Sequence, residues 1–226
     1  MNDPGWLWRE GQLWSTHYGD GYAQKENPLE ESQHVFIEGN QLLQRWHSPP
    51  VFHIAELGFG TGRNFLNCCR QYTGLHLIYW ASELHPLPAA LLAQVHANTP
   101  LQTWSERLVD AWMSMNESGL QVIWLTPRIE LRLWLGDSLA GLQQTSMQVD
   151  AWFMDGFAPQ RNPAMWSEAL ITQMSRLSHA GTTLATYSVA SALRKSLTSS
   201  GFELAMRPGT GGKRQVLTGT FSTLAE

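Results

Sequence analysis
A chain of 226 residues, 43% of them apolar, is long enough to bury one sizeable core and suits one large domain, or one domain with a modest extension. Its formal charge of −4 excludes a global attraction to nucleic acid, so any such contact rests on a local basic patch. No run reaches the ~18 apolar residues of a membrane helix, and Met1-Asn2-Asp3-Pro4 lacks the basic and apolar regions of a secretion signal.

Residues 1–48 form a polar prelude containing Trp and Gly, in which Val35-Phe36-Ile37 is expected as a short strand and Glu38-Gly39-Asn40 as a turn. The apolar run 51–55 reads as a buried strand, followed by a glycine turn and a helix opening at Arg63. The only cysteines, the adjacent Cys68 and Cys69, fall in that helix. Neighbours in sequence seldom form an unstrained disulfide, so they read as reduced residues of a cytoplasmic protein. Residues 75–81 are a second strand, and 86–98 and 101–112 are helical, with prolines tolerated in a first turn. Residues 121–125 and 129–135 alternate around Thr126-Pro127-Arg128 as a hairpin does. Asp137-Ser138 opens a short helix, 149–154 is a buried strand ending at Asp155-Gly156, and 163–177 is helical. Strands at 182–187, 202–206 and 214–221 alternate with a helix at 190–199 and the loop Gly209-Thr210-Gly211-Gly212. This order implies an α/β fold: a mostly parallel, doubly wound sheet covered on both faces, with an antiparallel pair at one edge. No internal repeat or linker interrupts it. The expected division is an N-terminal extension, 1–48, packed near the ligand site, and a main domain, 49–226.

Ligands of such sheets sit at the carboxyl ends of strands, and the conspicuous polar residues all fall there. Glu56-Leu57-Gly58-Phe59-Gly60-Thr61-Gly62 closes the first main strand, and glycine has no Cβ to hold a ligand off the backbone. The spacing departs from the dinucleotide pattern Gly-x-Gly-x-x-Gly, which would need glycine where Arg63 stands. An acid before the first glycine repels a pyrophosphate and favours S-adenosylmethionine (SAM); another nucleotide and a plain strand–helix turn are the alternatives. Glu83, after the second strand, can accept from both ribose hydroxyls, or stand as a solvated loop carboxylate. Asp137 with Ser138 can meet the adenine amine and ring nitrogen, cap the helix it precedes, or do both. Asp155 ends a central strand beside Gly156 and Phe157 and is placed to face the reacting centre; an ordinary Asp-Gly turn is the plain alternative. Trp152, inside that strand, reads as core.

The stretch Asp155-Gly156-Phe157-Ala158-Pro159-Gln160-Arg161-Asn162-Pro163-Ala164-Met165-Trp166 closely resembles the signature of the MnmC-type tRNA methyltransferases. So do residues 56–66, residues 181–187, Gly212-Lys213-Arg214 and, in the prelude, residues 30–36 and 39–42, so that the resemblance covers nearly the whole chain. It implies the Rossmann-like SAM-dependent methyltransferase fold. It also implies methyl transfer from SAM to the aminomethyl nitrogen on C5 of a tRNA wobble uridine, giving 5-methylaminomethyl-(2-thio)uridine. The tRNA anticodon loop is then the partner. Many such proteins carry a C-terminal FAD oxidoreductase. No second glycine fingerprint follows Gly62 in a strand–helix context, so no FAD is expected in this chain, and such an oxidoreductase, fused or separate, is a partner to expect.

Position by position, the resemblance implies Asp155 as the catalytic group, accepting an N–H of the acceptor amine, orienting its lone pair and helping the departing proton leave. It implies Glu56, Gly58, Phe59, Gly60, Gly62, Asn64, Glu83, Asp137, Ser138 and Asn40 around the cofactor. Toward the substrate it implies Glu31, Phe157, Pro159, Arg161, Asn162, Lys213 and Arg214; Lys213, Arg214 and Arg161, with Arg194 and Lys195, are candidate phosphate contacts, a solvated surface being the alternative for each. His17, His34, His53 and His85 show no metal-ligand spacing, so no metal is expected. His85-Pro86-Leu87-Pro88 and Ala180-Gly181 depart from the pattern without touching the chemistry. Two rival readings are an aminopropyltransferase of the spermidine-synthase type and a non-catalytic SAM- or RNA-binding module.

Overall fold
A computed structural model describes residues 5–112, 118–210 and 214–222. It begins with a small antiparallel sheet of three strands, β1 (Trp6–Arg9), β2 (Gln12–Ser15) and β3 (Asp20–Gly21). Glu10 and Gly11 both take positive φ, 51° and 79°, which is the two-residue turn that matches the twist of a hairpin. Strands of four and two residues leave too short an alternation to be recognised by pattern, and this sheet was not expected.

Helix α1 (Pro28–Ser32) opens on a proline and runs without a break into a π-helical turn, Gln33–Ile37. The strand expected at Val35-Phe36-Ile37 is therefore a wide helical turn. All three side chains are at most 2% exposed, and the turn brings three consecutive residues onto the core, as a two-faced strand cannot. A short α2 (Leu42–Arg45) follows.

The main body alternates β4 (Val51–Leu57), α3 (Arg63–Gln71), β5 (His76–Glu83), α4 (Ala89–His96), α5 (Gln102–Trp112), β6 (Gly119–Thr126), β7 (Ile129–Leu135), α6 (Ser138–Gln143), β8 (Val149–Met154), α7 (Glu168–Leu177), β9 (Ser178–Thr186), α8 (Ser191–Ser199), β10 (Phe202–Pro208) and β11 (Gln215–Phe221). The helical stretch at 163–177 is divided: a 3₁₀ turn, Pro163–Trp166, precedes α7, whose N-cap Ser167 accepts from the Leu170 N–H. The eight strands lie in the order β10-β11-β9-β8-β4-β5-β7-β6. The five central strands, β9 to β7, are parallel, and an antiparallel hairpin closes each edge. From β4 the chain winds outward through β5 and β7, then returns to β8 on the opposite side of β4. The carboxyl ends of β4 and β8 therefore flank the switch point where such sheets bind ligands.

Alternation within strands feeds two cores. Phe52, Ile54, Tyr79, Leu131 and Phe153 pack with Phe36, Phe65, Leu66 and Leu108 on one face. Ala55, Leu57, Trp80, Trp152 and Met154 pack with Leu170, Ile171, Leu193 and Leu197 on the other. Trp152 is fully buried, its indole N–H donating to Ser178 Oγ at 3.0 Å. Cys68 and Cys69 are unpaired and buried on α3, and burial pushes both thiols up, which keeps them protonated and inert. Among the described residues, no helix is long and apolar enough to cross a membrane.

Candidate active site
The glycine turn after β4 takes left-handed geometry at Gly58, Gly60 and Gly62, with φ of 89°, 54° and 71°. A Cβ on Gly58 would lie 2.5 Å from the Asp155 carbonyl oxygen, so only glycine lets the ends of β4 and β8 approach this closely. Neighbouring elements hold the loop. The Phe59 N–H donates to the Ser82 carbonyl (2.9 Å), the Gly60 N–H to Glu83 Oε2 (2.8 Å), and His96 Nε2 on α4 to the Thr61 carbonyl (2.8 Å).

The loop forms one wall of a cavity of about 450 Å³ at the switch point. Asp155, Gly156, Phe157 and Ala158 form another wall, and β2, β3 and their connection close it with Tyr18, Asp20 and Tyr22. Tyr18 stacks on Phe157 at 4.6 Å between ring centroids, and Tyr22 meets the same ring edge-on at 5.2 Å. Asp20 Oδ2 accepts from the Ala158 N–H at 3.3 Å, the Tyr187 hydroxyl donates to the Gly156 carbonyl, and the Trp166 indole N–H donates to the Phe157 carbonyl at 2.9 Å. The segment carrying Asp155 is thus held from three directions.

Asp155 is half-buried. Its Oδ2 accepts from Asn64 Nδ2 at 2.6 Å, and the same nitrogen donates to Glu56 Oε1 at 2.7 Å. The Tyr79 hydroxyl donates to Glu56 Oε2 at 2.9 Å. Burial first, and the nearby Asp155 charge second, raise the Glu56 carboxyl well above the usual carboxylate range. Burial lowers the Arg63 guanidinium while Asp155 and Glu31 favour its charge, so it remains a cation among acids. Burial, then Asp155, Asp20 and Glu31, push the Tyr187 phenol up, which keeps it a neutral donor.

The sequence profile of the S-adenosyl-L-methionine-dependent methyltransferases matches residues 99–222. The chain belongs to that family. The chain is 40% identical over 223 residues to the tRNA 5-methylaminomethyl-2-thiouridine biosynthesis bifunctional protein MnmC of Methylobacillus flagellatus, covering 95% of this chain and 34% of that protein. It is 41% identical over 226 residues to the protein of the same name from Chromobacterium violaceum, covering 96% and 34%. It thus spans about a third of the length of these curated relatives. The crystal structure of MNMC2 from Aquifex aeolicus superposes with a TM-score of 0.75 at 21% identity, covering 92% of this chain and 66% of that one, which fixes the fold.

SAM is the methyl donor of this family, and the cavity fits it: the glycine turn leaves backbone bare, and Glu83 stands at the end of the adjacent strand. Glu83 also accepts from the His85 N–H at 2.8 Å; burial raises its carboxyl against the pull of these backbone donors. Asp137 lines the methyltransferase cavity and caps α6 at once, Oδ1 accepting from the Ala140 N–H at 2.9 Å. Ser138 lines it too, but its hydroxyl pairs with Ser82 Oγ at 2.7 Å. Phe59 borders the cavity while stacking on Trp112 at 5.6 Å, so its ring belongs to the core. Asn64, Glu31, Phe157 and Asn162 also line the cavity, Glu31 receiving Gln24 Nε2 at 2.8 Å.

Other expected residues are not brought in. Glu56 is 1% exposed and lies behind Asn64, outside the lining, because Asn64 and Tyr79 take up its two oxygens. Asn40 is fully buried outside the lining, bonded to the Phe36 carbonyl and to Thr183 Oγ1. Pro159, Arg161 and Arg214 lie outside the lining, and Lys213 lies outside the described residues. Conversely, Tyr18, Asp20, Tyr22, Arg63 and Tyr187 line the cavity without having been singled out. The run Tyr18-Gly19-Asp20-Gly21-Tyr22, an Asp-Gly turn framed by tyrosines, was the available signal for the first three.

Proposed function
We propose that this methyltransferase transfers the methyl group of SAM to the aminomethyl nitrogen on C5 of a tRNA wobble uridine, giving 5-methylaminomethyl-(2-thio)uridine. The observation that carries the reading is Asp155, held from three directions at the end of β8 and turned into an aromatic-walled cavity beside the glycine turn. The names of the MnmC relatives support the acceptor, and the family match favours methyl over aminopropyl transfer.

Bound against the glycine turn, SAM supplies an electrophilic methyl group on a positively charged sulfur. The acceptor amine reacts only when neutral, whereas a free alkylammonium keeps its proton to about pH 10. Removal of the amine from water and the positive sulfur of bound SAM both favour the neutral form, against the pull of the cavity's carboxylates. Asp155 accepts one N–H of the amine, which orients the lone pair, and then takes up the proton lost as the new N–C bond forms and the methyl–sulfur bond breaks, its electron pair leaving with sulfur as a neutral thioether. Phe157, backed by Tyr18 and Tyr22, offers a planar surface to a base splayed from a single-stranded loop. Glu31 and Asn162 border the acceptor end. Arg161, Arg214, Arg194 and Lys195, with Lys213, are the cations offered to RNA phosphates. The extension 1–48 carries the aromatic wall, and 49–226 carries the cofactor cradle. The enzyme acts in the cytoplasm, where tRNA is, with an FAD oxidoreductase, fused or separate, supplying the aminomethyl group.

Asp155→Asn keeps the shape and removes the proton acceptor. We expect turnover to fall by about 10²-fold or more, the scale of general-base losses, while the SAM dissociation constant changes less than threefold. Equal losses in both, measured by single-turnover kinetics and calorimetry, would assign Asp155 to cofactor binding.

A further inference from the structure
We infer that Asn64 is a positioning residue: its side-chain amide, anchored on Glu56, aims the Asp155 carboxylate, and it is not a cofactor ligand. The inference rests on the catalytic reading of Asp155. Asn64 lies in the first turn of α3, is 4% exposed, and sets Nδ2 2.7 Å from Glu56 Oε1 and 2.6 Å from Asp155 Oδ2. The Asp155 carboxylate only accepts, so the amide turns its nitrogen toward it, and Glu56 Oε1 accepts the second N–H. Two N–H groups and two acceptors use the nitrogen up. A cofactor atom seeking a donor here would have to displace Glu56 or Asp155.

Glu56 explains why the amide stays in place. It is 1% exposed, outside the cavity lining, and bonded to Asn64 and to Tyr79. A carboxyl group this deep is costly to bury unless its oxygens are hydrogen-bonded. With no route to a ligand, its contribution is to hold Asn64. The strut joins β4, α3 and the end of β8. On the far side, the Asp155 N–H donates to the Leu57 carbonyl at 3.2 Å, fixing the backbone. Backbone and side chain of Asp155 are thus set by separate bonds, and a 1 Å error in aim can cost ~10²-fold in rate.

The test is a double-mutant cycle on the full chain with Asn64→Leu, which conserves volume, and Asp155→Asn. If Asn64 acts through Asp155, Asn64→Leu lowers kcat by ~10- to 100-fold while KM and the SAM dissociation constant stay within threefold, and the double variant is no slower than Asp155→Asn alone. Glu56→Gln restores the acceptor for Asn64 through its carbonyl and keeps kcat within a few-fold of wild type. A parallel loss of SAM affinity in Asn64→Leu, or losses that multiply in the double variant, overturns the inference. Should Asn64→Leu fail to fold, Asn64→Ser, whose single O–H can serve only one carboxylate, carries the same comparison. Wild-type turnover in Asp155→Asn refutes the catalytic reading itself, and the strut with it; a slow Asp155→Asn beside a fast Asn64→Leu refutes the strut alone.

Discussion

Glu83 serves two backbones, accepting from Gly60 in the glycine turn and from His85 in its own loop. Glu83→Gln places an N–H against one of these donors and leaves a bond unmade, at a cost of about 1–3 kcal/mol. We expect SAM affinity, measured by calorimetry, to fall about tenfold or more, with the fold intact by circular dichroism. Gly58→Ala acts differently. At φ +89°, its new Cβ would press on the Asp155 carbonyl, so thermal unfolding should show a destabilisation of about 2 kcal/mol together with lost turnover. At this scale the sequence was informative where chemistry sits in a local motif. The glycine turn, Glu83 and Asp155 are read from their own neighbours. Asn40 and Glu56 lie outside the cavity lining, because matching a motif position does not say which way a side chain points. Both turn inward, to partners 143 and 23 residues away.

Helix α4 and the glycine turn are joined by His96, 2% exposed and donating to the Thr61 carbonyl. Burial pushes its pKa down to about 4, against an ordinary value of 6.5, so the native state resists protonation while the unfolded chain accepts it. The stabilising contribution is complete above pH 6.5 and is lost as pH falls from there toward 4. At pH 5 it amounts to a loss of about 2 kcal/mol relative to pH 8. Urea unfolding at the two pH values should show this difference in the wild type and a smaller one in His96→Gln. The main sheet was legible because its strands and helices are long, periodic and punctuated by Gly, Pro and Asp. The π-helical turn and the three-stranded sheet were not. In the first, the apolar triplet Val35-Phe36-Ile37 carries no period that separates strand from helix. In the second, the strands are shorter than a readable alternation, and contact with Phe157, far along the chain, gives them their place.

For the whole molecule, a formal charge of −4 and a cavity rimmed by Asp20, Glu31, Glu83, Asp137 and Asp155 suit a cationic donor and an amine acceptor. They do not suit an RNA backbone, which on the proposed function is met by cations outside the cavity. Arg194 and Lys195 on α8 line a groove with Ser191, Thr198 and Ser199. Replacing both with alanine should reduce the slope of log affinity for tRNA against log salt by about 2, with SAM affinity unchanged. An unaltered slope would remove α8 from the RNA-binding surface. On the proposed function the division of labour is spatial: acids inside for the methyl transfer, cations outside for the strand that delivers the base.

The most direct test of the account is methyl transfer from labelled SAM to tRNA carrying 5-aminomethyluridine, with digestion and mass spectrometry of the nucleosides. The account predicts 5-methylaminomethyluridine with the wild-type chain and its near absence with Asp155→Asn. Unmodified 5-aminomethyluridine after incubation with a wild-type protein that binds both SAM and the tRNA would contradict it.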